Sequence, residues 1–361
     1  MPVDKYHMES HKLWWHLDRV NDWLKGKPIV PILIDGGLSK YCNIRCNYCF
    51  AYLPSNTSRP KDFCFSREPL LRYLKEAAEM GVKAIAFFGE GEPLLNPHVY
   101  EAIVVGNKAG LDISMGTNGI LMDTGRAGKN ALEHLTYVKF NISAGTEKGY
   151  IKVHRSKEFA TAVKKIKFCV QTKQEKKLNL TLGLQMIVTL HNIDEIIPLA
   201  ELGREMRVDY LQIKPCGDTQ DADLGLFGRY TEYDKIQDIL KKAEGFSNNG
   251  YQVIVKWNKI MEKGKKSYDK CFGARFLLYG SGDGKLYPCG RYINYKEDEY
   301  MLGDLTKQSF REIIESKKYQ EVMEKIEHLD VHTVCHTYCR TDSINQFLWQ
   351  LKHPPEHVNF I

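Results

Sequence analysis

The chain has 361 residues, 43% of them apolar and 27% charged, a balance that permits a sizeable core and excludes wholesale disorder. With 51 basic and 45 acidic side chains the formal charge is +6, which admits an anionic substrate without demanding nucleic acid. No run approaches the ~18 apolar residues of a membrane span, and the N-terminus lacks the apolar stretch of a secretory signal.

The ten cysteines are too sparse for a disulfide scaffold. In a reducing cytoplasm, the expected compartment, thiols stay free for metal or chemistry. Residues 8–25 read as an amphipathic helix, with Leu13, Leu17 and Val20 on one face. From residue 31 strands and helices alternate. Strands are predicted at 31–35, 82–89, 111–116, 136–143, 179–189 and 208–214, and helices at 66–80, 98–109, 157–173 and 193–206. Six such strands imply parallel βαβ units but fall short of a closed eight-stranded barrel. The expected fold class is therefore α/β, a partial (β/α)6 TIM-like barrel, with ligands at the C-terminal ends of its strands.

Beyond about residue 220 the pattern changes. A helix at 231–245, a strand at 251–256 and a hairpin at 274–290 turning at Asp283-Gly284 precede helices near 308–327 and 341–351. The expected domains are a helical extension (1–30), the barrel (31–220) and a C-terminal α+β cluster domain (221–361), with a boundary at 222–228.

Cys42, Cys46 and Cys49 follow the first strand as C-x3-C-x2-C. Thiolates at such spacing hold either zinc or an iron–sulfur cluster, and three of them leave one iron of a [4Fe–4S] cube open. Tyr48 precedes the third cysteine. Glu90-Gly91-Glu92-Pro93 ends the second strand, Thr117-Asn118-Gly119 the third and Asn141-Ile-Ser143 the fourth.

This combination resembles the radical S-adenosylmethionine (radical SAM) superfamily, whose GGEP motif has Glu90 here in place of its first glycine. The resemblance implies a [4Fe–4S] cluster on Cys42, Cys46 and Cys49, with SAM chelating the open iron. Reductive cleavage of SAM would then give a 5′-deoxyadenosyl radical that takes a hydrogen atom from substrate. By position, Tyr48, Glu90, Gly91, Glu92, Thr117, Asn118 and Ser143 fall in the SAM site, with backbone at Gly91 and Glu92 toward the methionine amino group. Arg155 is a candidate clamp for the SAM carboxylate, or a solvated arginine. Gln185, inside the fifth strand, needs a partner, either SAM or a neighbouring backbone group. The resemblance also implies an electron donor such as flavodoxin or ferredoxin.

Cys271 and Cys289, spaced C-x12-G-x4-C around Gly284, join Cys335 and Cys339 as a second set. It resembles the auxiliary-cluster region of SPASM and twitch domains, and four thiolates saturate one [4Fe–4S] cluster. Zinc would suit four thiolates equally. Arg340, Asp342 and Asn345 either line a cavity or anchor the last helix, with anchoring preferred.

Cys216, in Gln212-Ile-Lys214-Pro-Cys216 at the end of the sixth strand, is a candidate hydrogen donor to a substrate radical, giving epimerisation. Without a donor, oxidation of a carbinol follows, with Lys214 orienting an anionic or hydroxylated substrate. The expected substrate is a small polyhydroxylated molecule: a sugar, nucleotide sugar or cyclitol. Only about 30 residues precede the first strand, which lowers the alternative of a peptide or protein maturase. A non-catalytic metal-cluster module is the remaining alternative. Membrane and nucleic-acid partners are not expected.

Overall fold

The computed structural model describes residues 5–49, 64–217, 231–293, 295–335 and 337–360. Strands β1 (Leu33–Gly36), β2 (Ala84–Phe87), β3 (Asp112–Thr117), β4 (Tyr137–Asn141), β5 (Thr181–Val188) and β6 (Tyr210–Pro215) pair in parallel, each with the next. The helices on their outer face are α2 (Arg67–Glu79), α3 (Val99–Lys108), α4 (Arg126–Leu132), α5 (Glu147–His154), α6 (Phe159–Lys176) and α7 (Ile196–Met206), and α1 (Leu17–Leu24) precedes β1. The predicted helix over 8–25 is thus shorter, with a 3-10 turn at Leu13–Trp15 ahead of α1.

The sheet does not stop at six strands. β7 (Gln252–Val255) pairs in parallel with β6, and β8 (Leu277–Gly280) pairs in parallel with β1 on the opposite edge. From β8 the hairpin turns through Gly284, at φ +88°, into antiparallel β9 (Lys285–Tyr287) and then β10 (Gly303–Asp304). The order is β10-β9-β8-β1-β2-β3-β4-β5-β6-β7 in one ten-stranded sheet. Three strands read in sequence as part of a separate domain, β7, β8 and β9, therefore extend the barrel sheet. The expected boundary at 222–228 lies outside the described residues.

The core explains why the strands hold this curvature. Ile34, Ile85, Ile113, Val138, Leu182, Leu184, Leu211 and Ile213 are all fully buried, packed with Leu70, Leu74, Ile166 and Leu199 of the helices. Strands buried on both faces read as near-continuous apolar runs, as parallel strands do. Among the described residues no helix is long and apolar enough to cross a membrane.

Candidate functional site: two cysteine sets around a cationic barrel

The first cysteine loop leaves the end of β1 and is fastened to α5. The C-terminal carbonyls of a helix have no intrahelical partner. Here the cysteine loop supplies them: Arg45 N–H donates to His154 O (3.2 Å) and Asn47 N–H to Val153 O (2.9 Å). Sequence reading missed α5, although Thr146 caps it by accepting from Gly149 N–H. Missing the helix hid His154, which is wholly buried with Nδ1 3.0 Å from Cys46 Sγ and Nε2 2.9 Å from Ser143 N. Burial pushes its pKa down to about 3, so the ring is neutral.

The motifs at the strand ends hold one another. Glu92 accepts from Thr117 Oγ1 (2.5 Å), Asn118 N–H (2.8 Å) and Leu94 N–H (3.1 Å). Burial pushes its carboxyl up to about 7 against the pull of those donors. Asn118 donates to Asn43 Oδ1 (2.7 Å) and reaches Cys42 Sγ (3.8 Å). Gly91 stands where a Cβ would meet Tyr41 O at 2.2 Å and Ser39 O at 2.5 Å, so only glycine lets the second motif press against the cysteine loop. Ser143 is fully buried; its hydroxyl meets Tyr48 Oη (2.9 Å) and accepts from Ile187 N–H (3.0 Å). The side chains of Glu92, Thr117 and Ser143, expected in the SAM site, thus serve to lock the loops. Glu90, the departure from the family motif, accepts from Ser281 Oγ and from Gly282 N–H (3.2 Å), tying the barrel to the C-terminal hairpin.

Arg155 caps α5 in the left-handed conformation (φ 50°), its N–H donating to Ile151 O, and is exposed, its guanidinium making no hydrogen bond or ion pair among the described residues. Gln185 donates to the Asn141 side-chain Oδ1 at 3.5 Å, rather than to the backbone group expected, and pairs in register with Asn141 and Gln212.

Side chains of non-adjacent strands meet inside the curved sheet. Lys139 on β4 donates to Gln212 Oε1 on β6 (3.2 Å) and lies near the Phe88 and Tyr137 rings. Arg340, from the far end of the chain, pairs with Asp35 on β1 (2.8 and 3.0 Å) and lies over Phe88. Burial, then Lys214 and Arg340, hold Lys139 well below the usual lysine range, and burial with Lys259, Arg340 and Lys256 brings Lys214 to about 7. Neither Asp35 nor Lys139 was singled out in sequence. Their signal is a charged residue inside an otherwise apolar strand.

Cys216 is 2% exposed and packs with Tyr48, Val153 and Ile187 against Cys46, which places this thiol beside the first cysteine set. Its amide donates to Val188 O at 3.2 Å.

The second set sits where β8, β9 and the C-terminal segments converge. Asn345 donates to Cys271 Sγ (3.6 Å) while accepting from Gly273 N–H (2.6 Å), and Thr341 Oγ1 lies 3.3 Å from Cys339 Sγ. Asp342 is buried against Lys266 (2.6 Å) and Tyr268 Oη (2.7 Å). Asp342 and Asn345 therefore anchor the last helix, Asp342–Lys352, while Arg340 alone turns into the barrel.

All seven cysteines are free thiols. No three described Cys, His, Asp or Glu side chains stand close enough for one metal ion. The donor chemistry suits clusters. Burial, then neighbouring charges including Cys49, pushes Cys42 up to about 12, and burial with Cys339 pushes Cys271 to about 11 and Cys289 to about 12. Such crowded thiols ionise when a bound cationic centre supplies the opposing charge. N–H donors from Asn118 and Asn345 already point at a sulfur in each set.

The radical SAM superfamily model matches residues 38–202, and an iron–sulfur cluster-binding (SPASM) domain model matches 271–340. Among curated proteins, the GTP 3′,8-cyclase of Aquifex aeolicus is 28% identical over 70% of this chain and 79% of its own length. That of Staphylococcus haemolyticus is 24% identical over 73% and 79%. Among solved structures, Streptococcus suis SuiB bound to its precursor peptide SuiA superposes with TM-score 0.60 at 14% identity, over 86% of this chain and 71% of SuiB. Native anSMEcpe with bound AdoMet gives 0.59 at 20% identity, over 87% and 91%. These structures share the fold. The chain belongs to the radical SAM superfamily, as an enzyme that uses SAM and a [4Fe–4S] cluster and carries a C-terminal SPASM-type domain for an auxiliary cluster.

Proposed function

We propose that the protein is a radical SAM maturase that takes a hydrogen atom from a peptide or protein substrate gripped through an acidic group inside the barrel. The observation that carries this reading is the charge of the interior. Among the described residues, Lys139, Lys214 and Arg340 share it with one carboxylate, Asp35, and Arg340 already neutralises that one. Lys256, beside them, is paired with Glu9 (3.2 Å). The Lys214 ammonium has no hydrogen-bond or ion-pair partner among the described residues. A half-buried cation without a counter-ion is costly, and an incoming carboxylate relieves that cost.

SAM and the cluster, when bound, supply the radical; the chain positions the substrate and excludes water. Arg340 is fixed by Asp35 and Phe88, so it shapes the pocket, and Lys214 is left to meet the substrate. SuiB and anSMEcpe, which share the fold, were both solved with peptides, and this supports a peptide over the sugar-like substrate expected from sequence. A neutral polyol would also leave the Lys214 cation without a counter-charge. A second reading, a nucleotide substrate, draws on the relatives named GTP 3′,8-cyclase and on the same lysines, which suit phosphate equally.

The test is anaerobic turnover with SAM, reductant and acidic peptides, with GTP and sugars in parallel. The expected result is 5′-deoxyadenosine formed in step with a mass change in peptide. Formation coupled to GTP or to a polyol instead would overturn the reading. A product two mass units lighter marks oxidation; one deuterium from heavy water, lost in Cys216→Ala, marks hydrogen donation by Cys216. Lys214, held near 7, is a cation below that pH and neutral above it. So kcat/KM should fall as pH rises through about 7, and Lys214→Gln should raise KM about tenfold while flattening that limb.

A further inference from the structure

His154 is held by its backbone, by both ring nitrogens and by the rings around it. Its ring lies against Tyr150 (centroids 4.4 Å apart) and meets Tyr48 edge-on (6.0 Å). Its carbonyl is bonded to the cysteine loop at Arg45 N. The amide of Ser143 can only donate, so Nε2, 2.9 Å away, accepts. An imidazole whose Nε2 accepts holds its proton on Nδ1, here 3.0 Å from Cys46 Sγ.

Ser143 cannot turn away to release the ring. Its carbonyl accepts from Asn192 Nδ2 (2.8 Å) and its hydroxyl accepts from Ile187 N–H. The tautomer of His154 is therefore set by the end of β4 and its direction by α5. Asn118 also approaches a sulfur, Cys42, but at 3.8 Å and with a better acceptor, Asn43 Oδ1, at 2.7 Å.

We propose that His154 is a positioning residue for the first cluster, donating a fixed Nδ1–H hydrogen bond to the Cys46 thiolate and thereby raising that cluster's reduction potential. The inference is independent of the substrate. A hydrogen bond to sulfur stabilises the more negative, reduced state, so losing it makes reduction harder. The same bond couples β4, which carries the Asn-Ile-Ser motif, to the sulfur whose electron density it tunes.

The test is redox titration of the anaerobically reconstituted full chain, followed by the SAM-responsive electron paramagnetic resonance signal. His154→Phe keeps the ring volume and removes the donor. It should shift the one-electron equilibrium about tenfold toward the oxidised form, which is about 59 mV to lower potential. His154→Asn, whose amide can donate from the same side, should recover most of the shift. The auxiliary cluster's potential should not change in either variant. A readout in the unmodified protein stands even where the Phe variant fails to hold its cluster. Histidine labelled with 15N should show hyperfine coupling to the reduced, SAM-responsive cluster, together with a proton that exchanges in heavy water. An unshifted midpoint in a folded, iron-replete His154→Phe, equal shifts of both clusters, or no histidine coupling in the unmodified protein would each overturn the proposal.

Discussion

The two cysteine sets solve one problem by opposite means. The first packs three thiols into eight residues at the end of β1, and the ends of neighbouring strands close around it. The second gathers four thiols spread over 271–339, and a hairpin, the last helix and a buried ion pair bring them together. The first set therefore depends on local loop geometry, and it has one thiolate too few to saturate a cube. The second depends on tertiary structure and has enough. An open iron suits binding SAM, and a saturated cluster leaves substrate to be held by side chains, the part proposed for Lys214.

The largest expected effect separates the two sets directly. Replacing Cys42, Cys46 and Cys49 by Ala should abolish SAM cleavage and remove about four irons per chain, while about four remain on Cys271, Cys289, Cys335 and Cys339. Iron analysis and 5′-deoxyadenosine assay read both halves. Loss of all iron would show that the second set cannot assemble without the first.

The second set should break from within the fold. Lys266 and Asp342 are 3% and 7% exposed, and the pair stands one turn from Asn345, which donates to Cys271. Lys266→Met strands the Asp342 carboxylate in the interior, at a cost of about 3–5 kcal/mol. Denaturant unfolding should show that loss, together with release of auxiliary iron and retention of the first cluster. The double variant Lys266→Met/Asp342→Asn should lose less than Lys266→Met alone, because no charge is left unpaired.

This contrast also governs what the sequence reveals. The first set was legible because C-x3-C-x2-C and the strand-end motifs are short, and each strand is a compact apolar run. The second set was legible in its cysteines but not in its supports, since Lys266 and Asp342 lie 76 residues apart and no local pattern joins them. The barrel strands were placed well, yet the attachment of β7 and β8 to its two edges was not, because pairing partners are a property of the sheet. Short α5 escaped notice between two stronger elements, and His154 with it. Inside the barrel, Lys214 was noticed at a strand end, while Asp35 and Lys139 passed as ordinary charged residues until the curvature brought them together.

Glu90 offers the smallest effect and the sharpest test of how the two regions communicate. The family motif has glycine at this position, where the chain supplies a carboxylate that accepts from Ser281 Oγ and Gly282 N–H at the end of β8. That position is close-packed from the other side as well, since a Cβ on Gly282 would meet Ser39 C at 2.2 Å. Glu90→Gly restores the family motif and removes both bonds. Because hydrogen bonds to a charged group contribute about 1.5–3 kcal/mol when buried and this carboxylate is half-buried, a loss of about 1–2 kcal/mol is expected. SAM cleavage should persist, because Gly91 and Glu92 keep their contacts with the cysteine loop and β3. Coupling of that cleavage to substrate should weaken, since the hairpin carrying Cys289 is held to the barrel less firmly. An unchanged ratio of 5′-deoxyadenosine to product, with the stability loss present, would show that the bonds fix the hairpin without tuning the chemistry.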